Sequence, residues 1–597
     1  METKVLSEIA LNQKFFRRFY RLLKLGSGGT RTFLINTTIL LIIATLKEVA
    51  GYYSGLLTSK FYVVLNKQDL IGFNRLALKA MMIIFLTALL MSILLYFQGY
   101  IAWVLRKNMT QQVQIKYFRK DLFFKITSDK TIDNPDQRIA QDIDKLTTKF
   151  GKSLIVIILS PFLICYYTYR LYQYAGYYGP LTIYAYFVFS TFISKVLMSK
   201  VSKLIFMTEK YEGQFRSDHI HVLKQHQEIS LLNGELREGI EITNTFNELL
   251  RYQKERINRG FFIYLNEQFF SYFGSIITYL VVAIPIFSGV YKNTDPAELS
   301  GIISLVAFIS MALVYQFTLL IQQSTPISDI VGYTTRICQL LETLEVIENN
   351  CDDVVTNQNH NISEPISILL DNIRCVSPKG TLLFKDLSIC IRQMEHVLIT
   401  GSNGSGKSSF VKLLAGLWKP ASGKIKWPLN ITFDKLILFM PAKPHFVHGT
   451  LRDQIIYPDQ NDDINLALND NRVYELLNQV GLSDIVNKLN GLDSYYTSDQ
   501  WYTLLTPGQQ QKLVLLRLFY HKPIFAVLDE STAFIDHQSE SKILNLLSNF
   551  GITLIFITQN HPELILTTNN VTNFNWPTFH THLNFMEGNT YPKVTYL

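Results

Sequence analysis

The chain reads as a membrane α-helical bundle of six spans followed by an α/β P-loop nucleotide-binding domain. Three observations predict this. Long charge-free windows crowd the first 330 of its 597 residues. The octet Gly401-Ser402-Asn403-Gly404-Ser405-Gly406-Lys407-Ser408 sits between an apolar run and a helix start. The run Ile524-Phe525-Ala526-Val527-Leu528 ends on two carboxylates, Asp529 and Glu530.

Hydrophobic residues make up 48% of the chain against 17% charged, and the mean hydropathy is positive. Such a makeup points to a membrane protein. Residues 80–105, 171–194, 268–291 and 299–328 contain no Asp, Glu, Lys or Arg. Each can cross a hydrocarbon core of about 30 Å at about 1.5 Å per residue. Residues 153–169 form a shorter window that suffices if flanking side chains snorkel. A first span runs from Thr32 to about Leu57, interrupted by Lys47-Glu48. These two are costly in lipid and must face protein or a cavity, either paired with each other or lining a substrate path.

Residues 1–31 and 106–130 each carry seven Lys/Arg and two acids, which places both in the cytosol. Six spans then return the C-terminal half to the cytosol. The loops expected on the other side are 58–79, 170–176 and 292–298. The charge-rich segments 106–152 and 195–267 read as cytosolic extensions of the membrane helices. The net charge of +8 is explained by basic residues beside anionic lipid, so lipid and not nucleic acid is the expected partner. Cys165, Cys338, Cys351, Cys375 and Cys390 lack C-x-x-C pairing and read as free thiols. No cleavable signal peptide and no peroxisomal C-terminal tripeptide is evident. The expected domains are a cytosolic segment at 1–31, a transmembrane domain at 32–345, a linker at 346–365 and a nucleotide-binding domain at 366–597.

In the C-terminal half, Val397-Leu398-Ile399-Thr400 is a good buried strand and Ser409-Phe410-Val411-Lys412-Leu413-Leu414 a good helix start. That context makes the octet a phosphate loop. Its glycines let backbone N–H groups point inward around phosphate oxygens. Lys407 is expected to reach the β- and γ-phosphates of ATP and Ser408 to hold Mg2+. Ser402, Asn403, Ser405 and Ser409 complete the expected ATP-binding set. Asp529 suits the magnesium shell, and Glu530 suits a general base for the attacking water. Leu505-Thr506-Pro507-Gly508-Gln509 opens a helix just upstream and forms an anion site.

Phosphate loop, Leu-Thr-Pro-Gly-Gln and Asp-Glu, in that order, resemble the ATP-binding cassette family, and the resemblance spans nearly the whole chain. It implies an exporter-like fold and a half-transporter that dimerises, because Leu505–Gln509 would act on ATP held by the opposite subunit. Asp133-Asn134-Pro135-Asp136-Gln137-Arg138 and the stretch from Gly449 to Pro458 resemble subfamily D. The stretch Ala283–Tyr291, the segment Pro296–Ser300, Pro507 and the short N-terminus resemble its lysosomal, cobalamin-transporting members. The resemblance implies ATP-driven movement of cobalamin from the lysosomal lumen to the cytosol by a homodimer. A heterodimer with another half-transporter is the other pairing. An LMBR1-domain membrane protein is the implied trafficking partner. A peroxisomal long-chain fatty acyl-CoA transporter is the alternative within the subfamily.

Several positions depart from the family pattern. Ala442 stands where a magnesium-sensing, coupling glutamine is usual, so Lys443, a water or another group must serve. Gln559 takes the place of the switch histidine, or His561 does after a local shift. Asp536 fits the loop that crosses the dimer interface. Gln227-Glu228 resemble an acidic coupling motif, though an ordinary helix face fits them too. Val376 stands where an adenine-stacking tyrosine is usual. Ala442 and Gln559 leave open a second class of function, a structural or regulatory subunit that binds ATP and hydrolyses it weakly.

Overall fold

The computed structural model describes residues 13–119, 122–129, 132, 134–292, 294–349, 366–377, 380–428, 436–459, 470–559, 576–585 and 590–597. The chain divides into two compact units, one of residues 1–119 with 132–346, the other of residues 120–131 with 347–597.

The first unit is helical. It comprises α1 (Gln13–Gly26), α2 (Thr30–Asn66) and α3 (Leu70–Tyr117). After α4 (Leu122–Asp129), which groups with the second unit, come α5 (Ile143–Ala175), α6 (Tyr178–Lys224), α7 (His226–Leu231), α8 (Glu235–Phe287), α9 (Pro296–Gln322) and α10 (Ser324–Asn349). Among the described residues, six helical stretches are long and apolar enough to cross a membrane. Their outer faces are apolar: Phe85 is 71% exposed, Phe162 71% and Phe192 67%. Such side chains suit lipid, and the helix satisfies its own backbone there. The bundle core gathers Ile164, Tyr167 and Leu171 of α5 against Val281 of α8 and Ile309 and Leu313 of α9.

Two expected boundaries need correction. The loop at 58–79 shrinks to Lys67–Asp69, because α2 runs on to Asn66 and α3 begins at Leu70. Asp69 caps α3 by accepting from the Gly72 N–H at 2.9 Å. Scattered lysines mimicked a loop where the helix only leaves its apolar stretch. The window 171–194 contains a break between helices, with α5 ending at Ala175 and Gly176 turning the backbone at φ 64°. The extensions of α3, α6 and α8 beyond the charge-free windows are continuous helix. Helix α10 runs through Asn349; residues 350–365, which include Cys351, and Asp133 lie outside the described residues. Cys165, Cys338, Cys375 and Cys390 are free.

The stretch 133–138 has a structural account at its described end. One helical turn (Pro135–Gln137) leads through a π-helical segment (Arg138–Asp142) into α5. That widening places Arg138 in the interior, where its Nη1 donates to the Arg336 carbonyl on α10 at 2.8 Å. Helix α1 packs as its amphipathic pattern requires, burying Phe15, Arg18, Leu22 and Gly26. Arg18 makes a two-pronged pair with Glu342 of α10, at 2.9 and 2.6 Å.

The second unit is α/β. An antiparallel sheet has the order β2 (Leu382–Arg392), β1 (Ser367–Val376), β4 (Ser422–Lys426). The main sheet has the order β5 (Ile437–Met440), β6 (Phe525–Asp529), β7 (Thr553–Ile557), β3 (His396–Gly401), β8 (Phe579–Phe585), β9 (Lys593–Tyr596). All its pairings are parallel except β8 with β9. Continuous apolar runs build β3, β6 and β7 because helices cover both faces of a parallel sheet. The helices are α11 (Lys407–Leu414), α12 (Leu451–Ile456), α13 (Asp470–Gln479), α14 (Ile485–Lys488), α15 (Ser498–Leu504), α16 (Pro507–His521) and α17 (His537–Asn549).

The stretch from Gly449 to Pro458 is a clamp. Thr450 and Asp453 form a capping box for α12. Gln454 holds both backbone groups of Val447, at 3.0 and 2.8 Å. Buried Arg517 of α16 donates to the carbonyls of Gln454 (2.9 Å) and His445 (2.8 Å), with its guanidinium 4.7 Å from the Tyr457 ring centre.

His396, at the start of β3, is a buried histidine held neutral. Its Nδ1 accepts from the Leu554 N–H at 3.1 Å, and Nε2 meets the Ser548 hydroxyl at 2.7 Å. Burial, aided by His580, pushes it from 6.5 down to about 4. The folded form therefore takes up its proton later than the unfolded form. The contribution is complete above pH 6.5 and is lost as pH falls through about 4, amounting to about 3 kcal/mol at most. We expect the melting temperature of the second unit to drop between pH 7 and 4.5. In a His396→Gln variant, that part of the slope should vanish.

Candidate active site

The parallel register gathers the motifs at one sheet edge. Ile399 of β3 lies opposite Ile557 of β7, and Ile557 opposite Asp529 of β6. Strands β3, β5, β6 and β7 thus deliver Gly401, Pro441, Glu530 and Thr558 to the same carboxyl end, where open α/β sheets bind ligands.

The phosphate loop follows β3. Gly401, Gly404 and Gly406 have φ of 143°, 80° and 108°. A Cβ on Gly401 would stand 2.2 Å from the Phe585 carbonyl oxygen, so only glycine fits. Lys407 opens α11, is 4% exposed, and donates to the carbonyls of Gly401 (2.7 Å) and Ser402 (2.8 Å). Burial lowers its pKa, while Glu530 and Asp529 oppose that shift. Asn403 and Ser408 are exposed and Ser409 half-buried.

Burial, then the charge of Glu530, raises the Asp529 carboxyl, and the Ser408 hydroxyl bound to it counteracts this. Ser408 and Asp529 are therefore neighbours. Among the described residues, four buried oxygens here have no hydrogen-bond partner: Ser402 Oγ, Ser405 Oγ, Asp529 Oδ1 and Ser531 Oγ. Unsatisfied buried polar atoms are rare, and a cluster of them beside an inward-facing loop and a lysine fits an anion with a hard cation.

Glu530 adopts φ 52°, and its N–H donates to the Ile557 carbonyl at 3.1 Å. A left-handed glutamate is strained and turns its carboxylate away from the strand. Gln559, exposed beyond β7, donates from Nε2 to Glu530 Oε1. The structure thus brings Gln559 to the carboxylate, whereas His561 lies outside the described residues.

Thr506 is the N-cap of α16. Its Oγ1 accepts from the Gln509 N–H at 3.4 Å, and the Gln509 side chain accepts from the Thr506 N–H at 3.1 Å. Leu505 is buried and Pro507 takes the first helical turn, where a missing N–H costs nothing. A Cβ on Gly508 would stand 2.7 Å from the Phe534 carbonyl oxygen. Asp536 caps α17 through the Ser539 N–H at 2.8 Å, the main cause of its lowered pKa, and pairs with Lys512 at 3.7 Å. Val376, intermediate in exposure, ends β1 opposite Leu382.

Sequence reasoning missed Gln511. It is buried, accepts from the Phe534 N–H at 2.8 Å, and points Nε2 at the Ala442 carbonyl at 3.5 Å. It joins the loop before Asp536 to the loop after β5, at whose exposed Ala442 the family pattern has its own glutamine. Only its place one turn into α16, facing inward, distinguishes it from Gln510. Gln227 and Glu228 lie exposed on α7, in the other unit.

A family model described as ABC transporter transmembrane region 2 matches residues 28–287. One described as ABC transporter matches residues 384–533. The human protein named Lysosomal cobalamin transporter ABCD4 is 35% identical over 92% of this chain and 93% of its own length. The chain belongs to subfamily D of the ATP-binding cassette transporters. Human ATP-binding cassette sub-family D member 3 is 26% identical over 92% of this half-transporter and 86% of its own chain. ABC transporter D family member 3 of Dictyostelium discoideum is 27% identical over 90% and 82%. A bacterial Atm1-family ABC exporter with ATP bound shares the fold, with a TM-score of 0.69 at 15% identity over 93% of this chain and 94% of that one. The protein is a multi-pass membrane ATPase that couples ATP hydrolysis to transport.

Proposed function

We propose that this half-transporter works as a homodimer that moves cobalamin from the lysosomal lumen to the cytosol. The observation that carries the engine is the shared sheet edge: Lys407, Asp529, Glu530 and Gln559 converge there. The cargo and the organelle rest on the 35% identity to the human lysosomal cobalamin transporter across nearly the full length. An LMBR1-domain membrane protein is the proposed trafficking partner.

ATP supplies the phosphoanhydride, and Mg2+ supplies charge neutralisation. Lys407 meets the outer phosphates and Gly401–Ser409 surround them. Ser408 and Asp529 would hold the cation. Glu530 accepts a proton from the attacking water, and Gln559 orients that carboxylate. Thr506 and Gly508 of one copy approach the phosphates held by the other, with Asp536 beside that seam. Gln511 links the two loops in place of a glutamine at Ala442, and Gln227-Glu228 carry motion from the helices.

The test is cobalamin-stimulated ATPase and cobalamin uptake in proteoliposomes, with palmitoyl-CoA as the competing ligand. Stimulation by palmitoyl-CoA alone would replace the cargo assignment with the acyl-CoA reading and its peroxisomal location. A second class of function is favoured by one contact. Gln559 donates to Glu530 but cannot carry a proton as a histidine does, which suits a cassette that binds ATP and hydrolyses it slowly.

A further inference from the structure

Ionisable side chains stand in the membrane unit where lipid would reject them. Lys47 and Glu48 occupy the middle of the 37-residue helix α2 and pair with each other at 2.7 Å. Their side chains remain 27% and 24% exposed. A charge at bilayer depth is costly toward hydrocarbon, so its open side faces protein or a water-filled path.

The pair does not stand alone. One turn further along α2, the Tyr52 ring meets Tyr166 (5.5 Å) and Tyr167 (6.3 Å) of α5, and Phe308 (6.2 Å) of α9. Glu48 lies beside buried Tyr167. One turn beyond Tyr166 on α5, Arg170 lies beside the Tyr52 hydroxyl and against the Tyr174 ring. Its Nη1 donates to Gln173 at 2.8 Å and its Nη2 to the Tyr174 hydroxyl at 3.3 Å. These partners are neutral. Among the described residues its Nε is buried with no hydrogen-bond partner. Lys47 is therefore neutralised by Glu48, while the partners of Arg170 among the described residues carry no charge. Tyr53 and Tyr166 add half-exposed rings to the same patch.

We propose that this cluster is a binding site for a phosphate ester carried on a bulky, partly apolar body, with Arg170 as the phosphate ligand. An arginine fork matches two phosphate oxygens, which a lone ammonium does not. Tyr52, Tyr53 and Tyr166 supply broad amphipathic faces for the body at little entropic cost. The charge pair keeps the wall polar without competing for the anion. The site rests on the transport reading above. Its ligand chemistry is common to cobalamin, through the phosphodiester of its nucleotide tail, and to acyl-CoA.

The test measures equilibrium binding of cyanocobalamin, cobinamide (the corrin without the phosphate tail) and palmitoyl-CoA to the full chain in nanodiscs. In Arg170→Gln, the Kd for cyanocobalamin should rise about tenfold to a hundredfold, and cobinamide should stay within about twofold. Arg170→Lys should fall between. Should Arg170→Gln fail to fold, Arg170→Lys and Tyr166→Leu carry the comparison, each weakening cyanocobalamin. Unchanged affinity for all ligands in the folded variants overturns the site. Equal losses for cobinamide and cyanocobalamin overturn the phosphate role of Arg170. If the native protein binds palmitoyl-CoA and not cyanocobalamin, and Arg170→Gln weakens it, the site stands and the cobalamin reading falls.

Discussion

Lys407→Ala is expected to abolish ATP-driven transport while leaving the protein folded in the membrane. The side chain is buried, and its ammonium already bonds two carbonyls of the loop it closes, Gly401 and Ser402. Alanine removes the charge aimed at the outer phosphates and leaves those carbonyls without a donor. Charged clamps of this type lose about two to three orders of magnitude in turnover on removal. ATP affinity should fall as well, because the charge also meets the phosphates in the ground state, while the loss of turnover reports its stronger action on the charge that develops in the transition state. Reconstituted uptake and nucleotide binding check this together. Uphill transport at the native rate would end the cassette-driven account.

Glu530→Gln is expected to separate binding from hydrolysis. Glutamine has the same shape, so the left-handed backbone and the N–H bond to Ile557 should persist. The loss is the base that takes the proton, worth about a hundredfold to ten-thousandfold in turnover. ATP should bind as before and stay bound. Equal background rates in the native protein and the variant would favour the weakly hydrolysing subunit and turn attention to Gln559. A single-turnover measurement with radiolabelled ATP separates the cases.

Much of this was legible because phosphate chemistry fixes residue types at fixed offsets. Gly401, Gly404, Gly406 and Lys407 can be read in one dimension, since each answers to a backbone angle or an oxygen a few residues away. Asp529 and Glu530 were legible for a related reason: a buried apolar strand has to end before it can present charge. Gln511 was not legible, because its partners, Phe534 N–H and the Ala442 carbonyl, come from two distant loops. His396 was hidden in the same way, with its meaning residing in Leu554 and Ser548 across the sheet. Helix ends in the membrane half were misjudged where charge was taken for loop. Lys60 and Arg75 sit on helices that simply outrun the apolar window. The alternative left open for Lys47 and Glu48 was partly resolved by their mutual contact; no sequence offset could have placed Arg170 next to Tyr52.

The segment Thr506–Gln509 is fixed by its own capping bonds and by the Phe534 carbonyl packed over Gly508. A surface shaped in advance loses little freedom when something docks on it, so more of the contact energy survives as affinity. Amide protons at Gln509 and Gln510 should accordingly exchange slowly in nucleotide-free protein. Affinity gained in this way slows the parting of the docked surfaces.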